Sequence, residues 1–418
     1  MKKLNRGVVF TLSVVLLGMI NSAGDCFAGK IRVVGDANGY DIKASSANGK
    51  VLIGRKSGQW YRIYTDGSSA VTEILAGGAN IKSISAVSDD GATVFGKIKD
   101  NGENRYVYWK ESAGQINNAL DSGLSANVNG CTDAGYYFSN LNNRLSVYKK
   151  GAKVASLQVS SISGSSGNLS AISKNGKVVI GRQTVSGLKS AVFWNNWQSN
   201  NKATTVASYL STKGVVVDSQ SSLTNSQAVS GNGNHIAGLA FGNVKKLFVA
   251  SMNFDGANAE LNYIDKFKTW DSQSNKLGSD LVVNSLTSPE NLNIVGVSNQ
   301  GNIAVGNWED PYAPANGYTF IWFKDRKITL NDGTEQIGFA MKLDEYLEME
   351  NIVLDSGKSF EIQKVLGMSE DGHSIICQGS LDGVSATFEV NLPEPASMTI
   401  FLTASLALLR KRRKKNAC

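Results

Sequence analysis

The residues of this 418-residue chain that could do chemistry are mostly acids and aromatics. Asp89-Asp90, Asp133 and Glu370-Asp371 form acidic clusters, and Asp265, Asp271, Glu309 and Asp310 are further carboxylates in less patterned stretches. Hydrolysis of a glycosidic bond needs two carboxyl groups roughly 5 to 10 Å apart. Nothing in the spacing of these residues fixes such a pair. The alternating acids of a calcium loop are missing. The only two histidines, His235 and His373, are too few for a His-built zinc site or a His-based triad. No glycine-rich phosphate loop opens a helix after a strand, and no cofactor or metal is expected. Cys131 and Cys377 fall in remote parts of the body and read as two separate buried thiols, although an oxidising compartment would let cysteines pair. Trp197, Trp270 and Trp308, with Tyr312 and Tyr318, are set among polar residues, as in Asn195-Asn196-Trp197-Gln198 and Asn307-Trp308-Glu309-Asp310. A flat apolar ring beside hydrogen-bonding groups suits a sugar ring. The three tryptophans are therefore candidate glycan contacts, with plain packing of loops over strands as the competing reading.

The element that must position these residues is a repeat. Its pattern is small-x-Ser-x-x-Gly, then three or four mostly apolar residues, then often a second Gly. It occurs at 44–54, 86–96, 130–138, 171–181, 228–238, 296–306 and 367–377. The turn glycines are Gly49, Gly91, Gly135, Gly176, Gly233, Gly301 and Gly372, with spacings of 42, 44, 41, 57, 68 and 71 residues. Five of these turns read Asn-Gly or Asp-Gly, pairs that supply the positive φ values of a tight hairpin. The Ser can hydrogen-bond the turn backbone, and the second Gly permits a bulge or a close backbone approach. An aromatic strand follows each turn: Trp60-Tyr61, 106–109, Val147-Tyr148, Val192-Phe193-Trp194, Leu247-Phe248, 320–322 and Phe388.

Each unit thus offers three to four short strands, and periods of this size belong to solenoids or propellers. The expected fold is all-β: a β-propeller of seven blades, which would leave only short protected edges. Six or eight blades, an open array or a pair of β-sandwiches are the alternatives. The later units are longer. Within them, 206–210 and 343–349 read as short helical turns, and 254–290 and 307–318 as loop insertions. The segment 31–34 is expected to pair with the strand around Phe388 and close the ring; a loose N-terminal strand is the alternative.

Composition limits the function. Hydrophobic residues make up 42% of the chain, ample for a packed core, and five prolines argue against a Pro-rich linker protein. The net charge of +7 would suit nucleic acid, but it is concentrated at the ends: Lys2, Lys3 and Arg6 at one, Arg410, Lys411, Arg412, Arg413, Lys414 and Lys415 at the other. The stretch between is close to neutral, so no nucleic-acid partner is expected. The basic start, the apolar run 8–20 and Cys26-Phe27-Ala28 read as a signal peptide (1–28) for removal by signal peptidase, with a retained membrane anchor or a lipoprotein as alternatives. At the other end, Pro393-Glu394-Pro395 precedes a mostly apolar run, 396–409, and the basic cluster. That run would be about 21 Å long as a helix against a hydrocarbon core of ~30 Å, a short transmembrane helix with the basic cluster on its cytoplasmic side.

The tail 392–418 resembles the PEP-CTERM sorting signal of exported Gram-negative bacterial proteins. The resemblance implies recognition at Pro393, Glu394 and Pro395 by an exosortase, transient anchoring in the inner membrane, and sorting to the cell surface or extracellular matrix. The repeats of the body (29–391) resemble, over most of residues 40–390, HAF-type repeats, where Ser-x-Asp-Gly turns precede an apolar strand and a later aromatic one. That resemblance implies a propeller-like fold and no single activity. Copy three carries Thr132 for its Ser and Asn140 for its second Gly, and copy seven carries Cys377 at that position, so both are expected to be distorted or terminal blades. The expected function is non-catalytic binding or scaffolding at the cell envelope, with extracellular polysaccharide as a candidate partner. An extracellular polysaccharide hydrolase or lyase is the alternative. Acids converging on the central channel would favour the enzyme, an aromatic lining would favour binding, and an apolar filling a structural role.

Overall fold

The computed structural model describes residues 29–393, apart from 35–38, 47, 67–70, 75–79, 112–119, 122–127, 142–143, 150–151, 163, 244, 255, 257, 272–275, 283–291, 309–316, 330–334 and 355–357. The signal segment 1–28, Glu394, Pro395, the apolar run 396–409 and the basic cluster 410–415 lie outside the described residues, as do Glu309, Asp310 and Tyr312. Among the described residues no helix is long and apolar enough to cross a membrane.

Each copy of the repeat is the first hairpin of a sheet. In copy one Ser46 N–H donates to the Val51 carbonyl (2.8 Å) and Gly49 N–H to the Ser46 carbonyl (3.0 Å). Ser46 Oγ accepts from Val51 N–H (3.0 Å) and donates to Asn48 Oδ1 (2.7 Å). The same serine brace recurs at Ser88, Ser173, Ser230, Ser298 and Ser369. One expectation changes. Of the Asn-Gly pair only the glycine has positive φ (+71° at Gly49). The Asn is an acceptor that folds a four-residue loop and not half of a two-residue turn. Two-residue turns with both φ values positive occur at the opposite end of the sheets, at Ser57-Gly58, Asn101-Gly102, Ser186-Gly187 and Asp382-Gly383.

The second glycine also has a physical cause. Opposite Gly181 and Gly238 the inner strand bulges, at Leu169/Ala171 and Ser226/Ala228. The bulge presses the Asn168 or Asn225 carbonyl against the glycine, where a Cβ would overlap it. In copy three Asn140 uses its side chain to clasp the next sheet instead: Leu169 N–H donates to its Oδ1 (3.0 Å) and its Nδ2 to the Leu169 carbonyl (3.1 Å). Gln227 clasps Leu292 and Ile294 in the same way, and Asn307 clasps Val365.

The strands form seven sheets: six of four strands and one of six. In chain order, the innermost strands are Asp41–Ser45, Asn80–Val87, Val128–Cys131, Ser166–Ile172, Ser221–Val229, Leu292–Val297 and Phe360–Met368. They are numbered sheets 1 to 7 here. Each inner strand packs on the next, and that of sheet 7 returns to that of sheet 1, giving the closed ring of a β-propeller. The expectation of seven blades is corrected to six regular four-stranded blades, plus sheet 6 with six strands. The extra pair is a hairpin, Lys266–Asp271 and Lys276–Val282, added in parallel to Glu335–Lys342 through Lys268 and Met341. The stretch 254–290 is therefore not a plain loop; it also supplies the outer strand of sheet 5, Glu260–Ile264.

Seven hydrophobic clusters among the described residues fill the gaps between neighbouring sheets. This explains the unbroken apolar runs: Val178 and Ile180 enter the cluster toward sheet 5, while Val179 enters the one toward sheet 3. The helices Val206–Thr212 and Leu343–Met349 form as expected and bury Val206 and Leu210, and Leu343, Tyr346 and Leu347. Cys131 and Cys377 are both free thiols.

The ring closes with strands from both ends of the body. Lys30–Val33 pairs antiparallel with Val384–Asn391, with Val33 opposite Phe388, and is the outermost strand of sheet 7. Lys30 lies opposite Asn391, and Leu392 N–H donates to the His373 carbonyl in the turn of copy seven (2.7 Å). Both ends of the described body therefore leave from the face that carries the repeat turns.

Candidate functional site

The repeat turns converge on the ring axis. The residue after each repeat Ser or Thr is Asp89, Asp133, Lys174, Gly231, Asn299 or Glu370 in copies two to seven, and together they form a collar. Their side chains and backbones latch neighbouring turns. Asp89 Oδ1 accepts from Asn48 N–H (3.1 Å), Asp133 Oδ1 from Asp90 N–H (2.8 Å), and Asn299 Oδ1 from Asn232 N–H (2.9 Å). Glu370 Oε2 accepts from Asn299 Nδ2 (3.0 Å). Glu370 then crosses the axis: its Oε1 is 2.7 Å from Lys174 Nζ, in the turn of sheet 4. Gly231 makes room for this strap, since a Cβ there would lie 2.9 Å from Glu370 Cδ. Both partners are more than a third exposed, so the pair contributes at most about 1 kcal/mol. Its consequence is steric, because it bars the mouth.

Below the strap is a cavity of about 60 Å³, walled by Ile172, Val229, Val297 and Met368 under Asp89, Lys174 and Glu370. That volume suits a few waters and no sugar ring. The channel thus combines two expected linings, an acidic collar over an apolar floor.

Burial, partly offset by the Asn48 N–H, raises the carboxyl of Asp89 above its usual value, and the Asp133 charge adds to the rise. Burial likewise raises Asp133. The Lys174 ammonium holds Glu370 below the usual range, and Glu370 in turn raises Lys174. Burial, and then the charges of Asp89, Asp133 and Asp90, push the Cys131 thiol up, which makes it a poor nucleophile. A carboxyl with a raised folded pKa binds its proton more readily folded than unfolded. Its penalty is present at neutral pH and is relieved as pH falls. Asp89→Asn keeps the acceptor for Asn48 N–H and removes the charge. It should raise the melting temperature at pH 7 by about 1–3 °C and change little near pH 3. Melting curves at the two pH values check this; an unchanged or lower value at pH 7 would contradict it.

The glycan candidates do not converge. Trp197 is buried between sheets 3 and 4, and its Nε1–H donates to the Gly176 carbonyl (2.8 Å). Trp308 is buried between sheets 5 and 6, its ring 5.0 Å from that of Tyr318. Both are corrected to core residues, since their rings have no surface to offer a sugar. Trp270 is half-buried on the added hairpin of sheet 6, against the cluster shared with sheet 7. Asp265 immediately precedes that same strand and Asp271 ends it, far from the collar in the fold. Pro393 is half-buried next to Gly29, where a Cβ would lie 2.9 Å from its Cδ. The collar was the missed site. The signal available in the sequence is that Asp89, Asp133 and Glu370 share one repeat offset, each following the repeat Ser or Thr. Among the described residues no group of His, Cys, Asp and Glu could hold a metal ion.

No protein-family model matches the sequence, and no curated protein matches it. Among solved structures it is similar to a putative TolB from Agrobacterium tumefaciens, at 14% identity over 57% of this chain and 88% of that one, with a TM-score of 0.34. It is also similar to a chain of the mitotic checkpoint complex, at 14% identity over 86% and 92% with a TM-score of 0.40. The tricorn protease gives 10% identity over 87% of this chain and 34% of that one, with a TM-score of 0.43. None of these likenesses bears on activity. The chain's own strand pairing and ring of inner strands are what make it a β-propeller.

Proposed function

We propose that this protein is an exported, non-catalytic propeller that binds or scaffolds at the cell surface or in the extracellular matrix. It is sorted there through Pro393, Glu394 and Pro395 after signal-peptide removal and transient inner-membrane anchoring. The enlarged sheet 6 takes the place of a seventh blade, and the repeats belong to the HAF type. The observation that carries the non-catalytic reading is the state of the collar: Asp89, Asp133 and Glu370 each already accept a hydrogen bond from a neighbouring turn. They are latches between turns and not a free acid and base. The two chain ends support export, and their common exit face is what a tethered body needs. In that arrangement the repeat-turn face looks toward the membrane and the face with the two-residue turns looks away.

The test is the intact mass of the native protein from envelope and medium. The expected form begins near Gly29 and ends near Pro395. A form that keeps Arg410 to Lys415 would overturn the sorting reading and leave a membrane-tethered propeller.

A further inference from the structure

We propose that the groove lined by residues of sheets 4 and 5, on the face away from the repeat turns, binds a carboxylated sugar unit of an acidic polysaccharide. Only the outward orientation of the groove rests on the export reading; the site itself does not. The groove has a volume of about 320 Å³, within the size of small-molecule sites. Thr224 and Leu239 are buried at its base, Arg182, Asn225 and Phe241 are half-buried in its walls, and Lys189 stands exposed at its rim.

The inner strand of sheet 5, which bulges at Leu223/Asn225 and Ser226/Ala228, supplies Thr224, Asn225 and Gln227 to the groove. The neighbouring amide, Gln227, is already committed to clasping sheet 6. Asn225 is not: among the described residues its side-chain amide has no hydrogen-bond partner, and neither Arg182 nor Lys189 has an ion-pair partner. A third cation, Lys245, stands 5.9 Å from the ring of Phe241.

Two cations without acids, a free amide and an apolar wall define the ligand. The guanidinium matches a carboxylate in a bidentate fork, the amide serves hydroxyls, and the half-buried ring of Phe241 covers an apolar sugar face. A bare inorganic anion would leave the aromatic wall unused, and a neutral sugar would leave the cations unpaired.

The experiment is calorimetric titration of the full chain with oligogalacturonate, cellohexaose and sodium sulfate. Oligogalacturonate should bind, more weakly as salt rises, with cellohexaose and sulfate at least tenfold weaker. The double substitution Arg182→Gln and Lys189→Gln should weaken oligogalacturonate at least tenfold, and Phe241→Ala should weaken it without changing sulfate. Asn225→Ala removes an amide with no internal partner, so it should weaken binding while the melting temperature holds. Absence of oligogalacturonate binding, unchanged affinity in the double variant, or sulfate bound as tightly as the uronate would each overturn the proposal. Failure here leaves the mass of the mature protein as expected, and failure of sorting leaves this titration as expected.

Discussion

Gly238→Ala should destabilise the fold by about 3 kcal/mol or more, the upper end of the range for overpacking a core. The backbone conformation is not the obstacle, because Gly238 is not among the glycines with positive φ. The obstacle is that a Cβ would overlap the Asn225 carbonyl oxygen, with the carbonyl carbon 2.9 Å and Ser226 Cα 3.0 Å away. These are backbone atoms of a bulge, so relief requires undoing the bulge itself. Gly187→Ala is the control: nothing lies within 4 Å and only its positive φ resists, at about 1 kcal/mol. Urea unfolding of both variants decides. Equal losses would mean that the bulge yields easily and does not explain the second glycine of the repeat. Because Asn225 belongs to the displaced strand, Gly238→Ala should also weaken any ligand of the groove.

The second large effect concerns a charge. Arg62 is buried to 2% exposure between sheets 1 and 2. Its Nη1 donates to the Gly91 carbonyl (2.9 Å) and to Glu111 Oε2 (2.8 Å), and its Nη2 to Glu111 Oε1 (3.2 Å). Glu111→Ala strands a buried guanidinium and should cost about 3 kcal/mol, the low end for breaking a buried pair because Glu111 is itself 30% exposed. Arg62→Met removes the charge together with its need for a partner and should cost much less. Denaturation of the two variants tests the asymmetry. Comparable losses would show that the pair acts through packing and not through charge.

What the sequence made legible is what it encodes locally. The Ser-x-x-Gly loop satisfies its own backbone, so each turn could be placed from six residues. Glycine at the second position reports a carbonyl pressed against it at Gly96, Gly181, Gly238 and Gly306. The pairing of 31–34 with Phe388 followed from a ring needing its last strand. Properties created by closure were hidden. Glu370 reaches Lys174 only because ring closure sets sheet 7 across the axis from sheet 4, and no local pattern announces that crossing. Trp197 looked exposed because Asn195, Asn196 and Gln198 flank it; in the structure Asn196 turns the chain at φ +50° and drives the indole inward. The groove was illegible because its residues come from two sheets, Arg182 and Lys189 from sheet 4 and Asn225 and Phe241 from sheet 5. The added hairpin of sheet 6 joins through a single parallel bridge, a contact too sparse to leave a periodic trace.

The closing strand has a mechanical consequence. Val384–Asn391 is held on one side by Ser374–Leu381 and on the other by Lys30–Val33, and it leads directly to the exit at Pro393. A force drawn through the tail acts along this strand, while its hydrogen bonds run across it. The two ladders are loaded together in shear and cannot be peeled open one bond at a time. The strand from the start of the body thus works as a splint for the strand at its end, and tension on the tail is spread over sheet 7 before any single bond must yield.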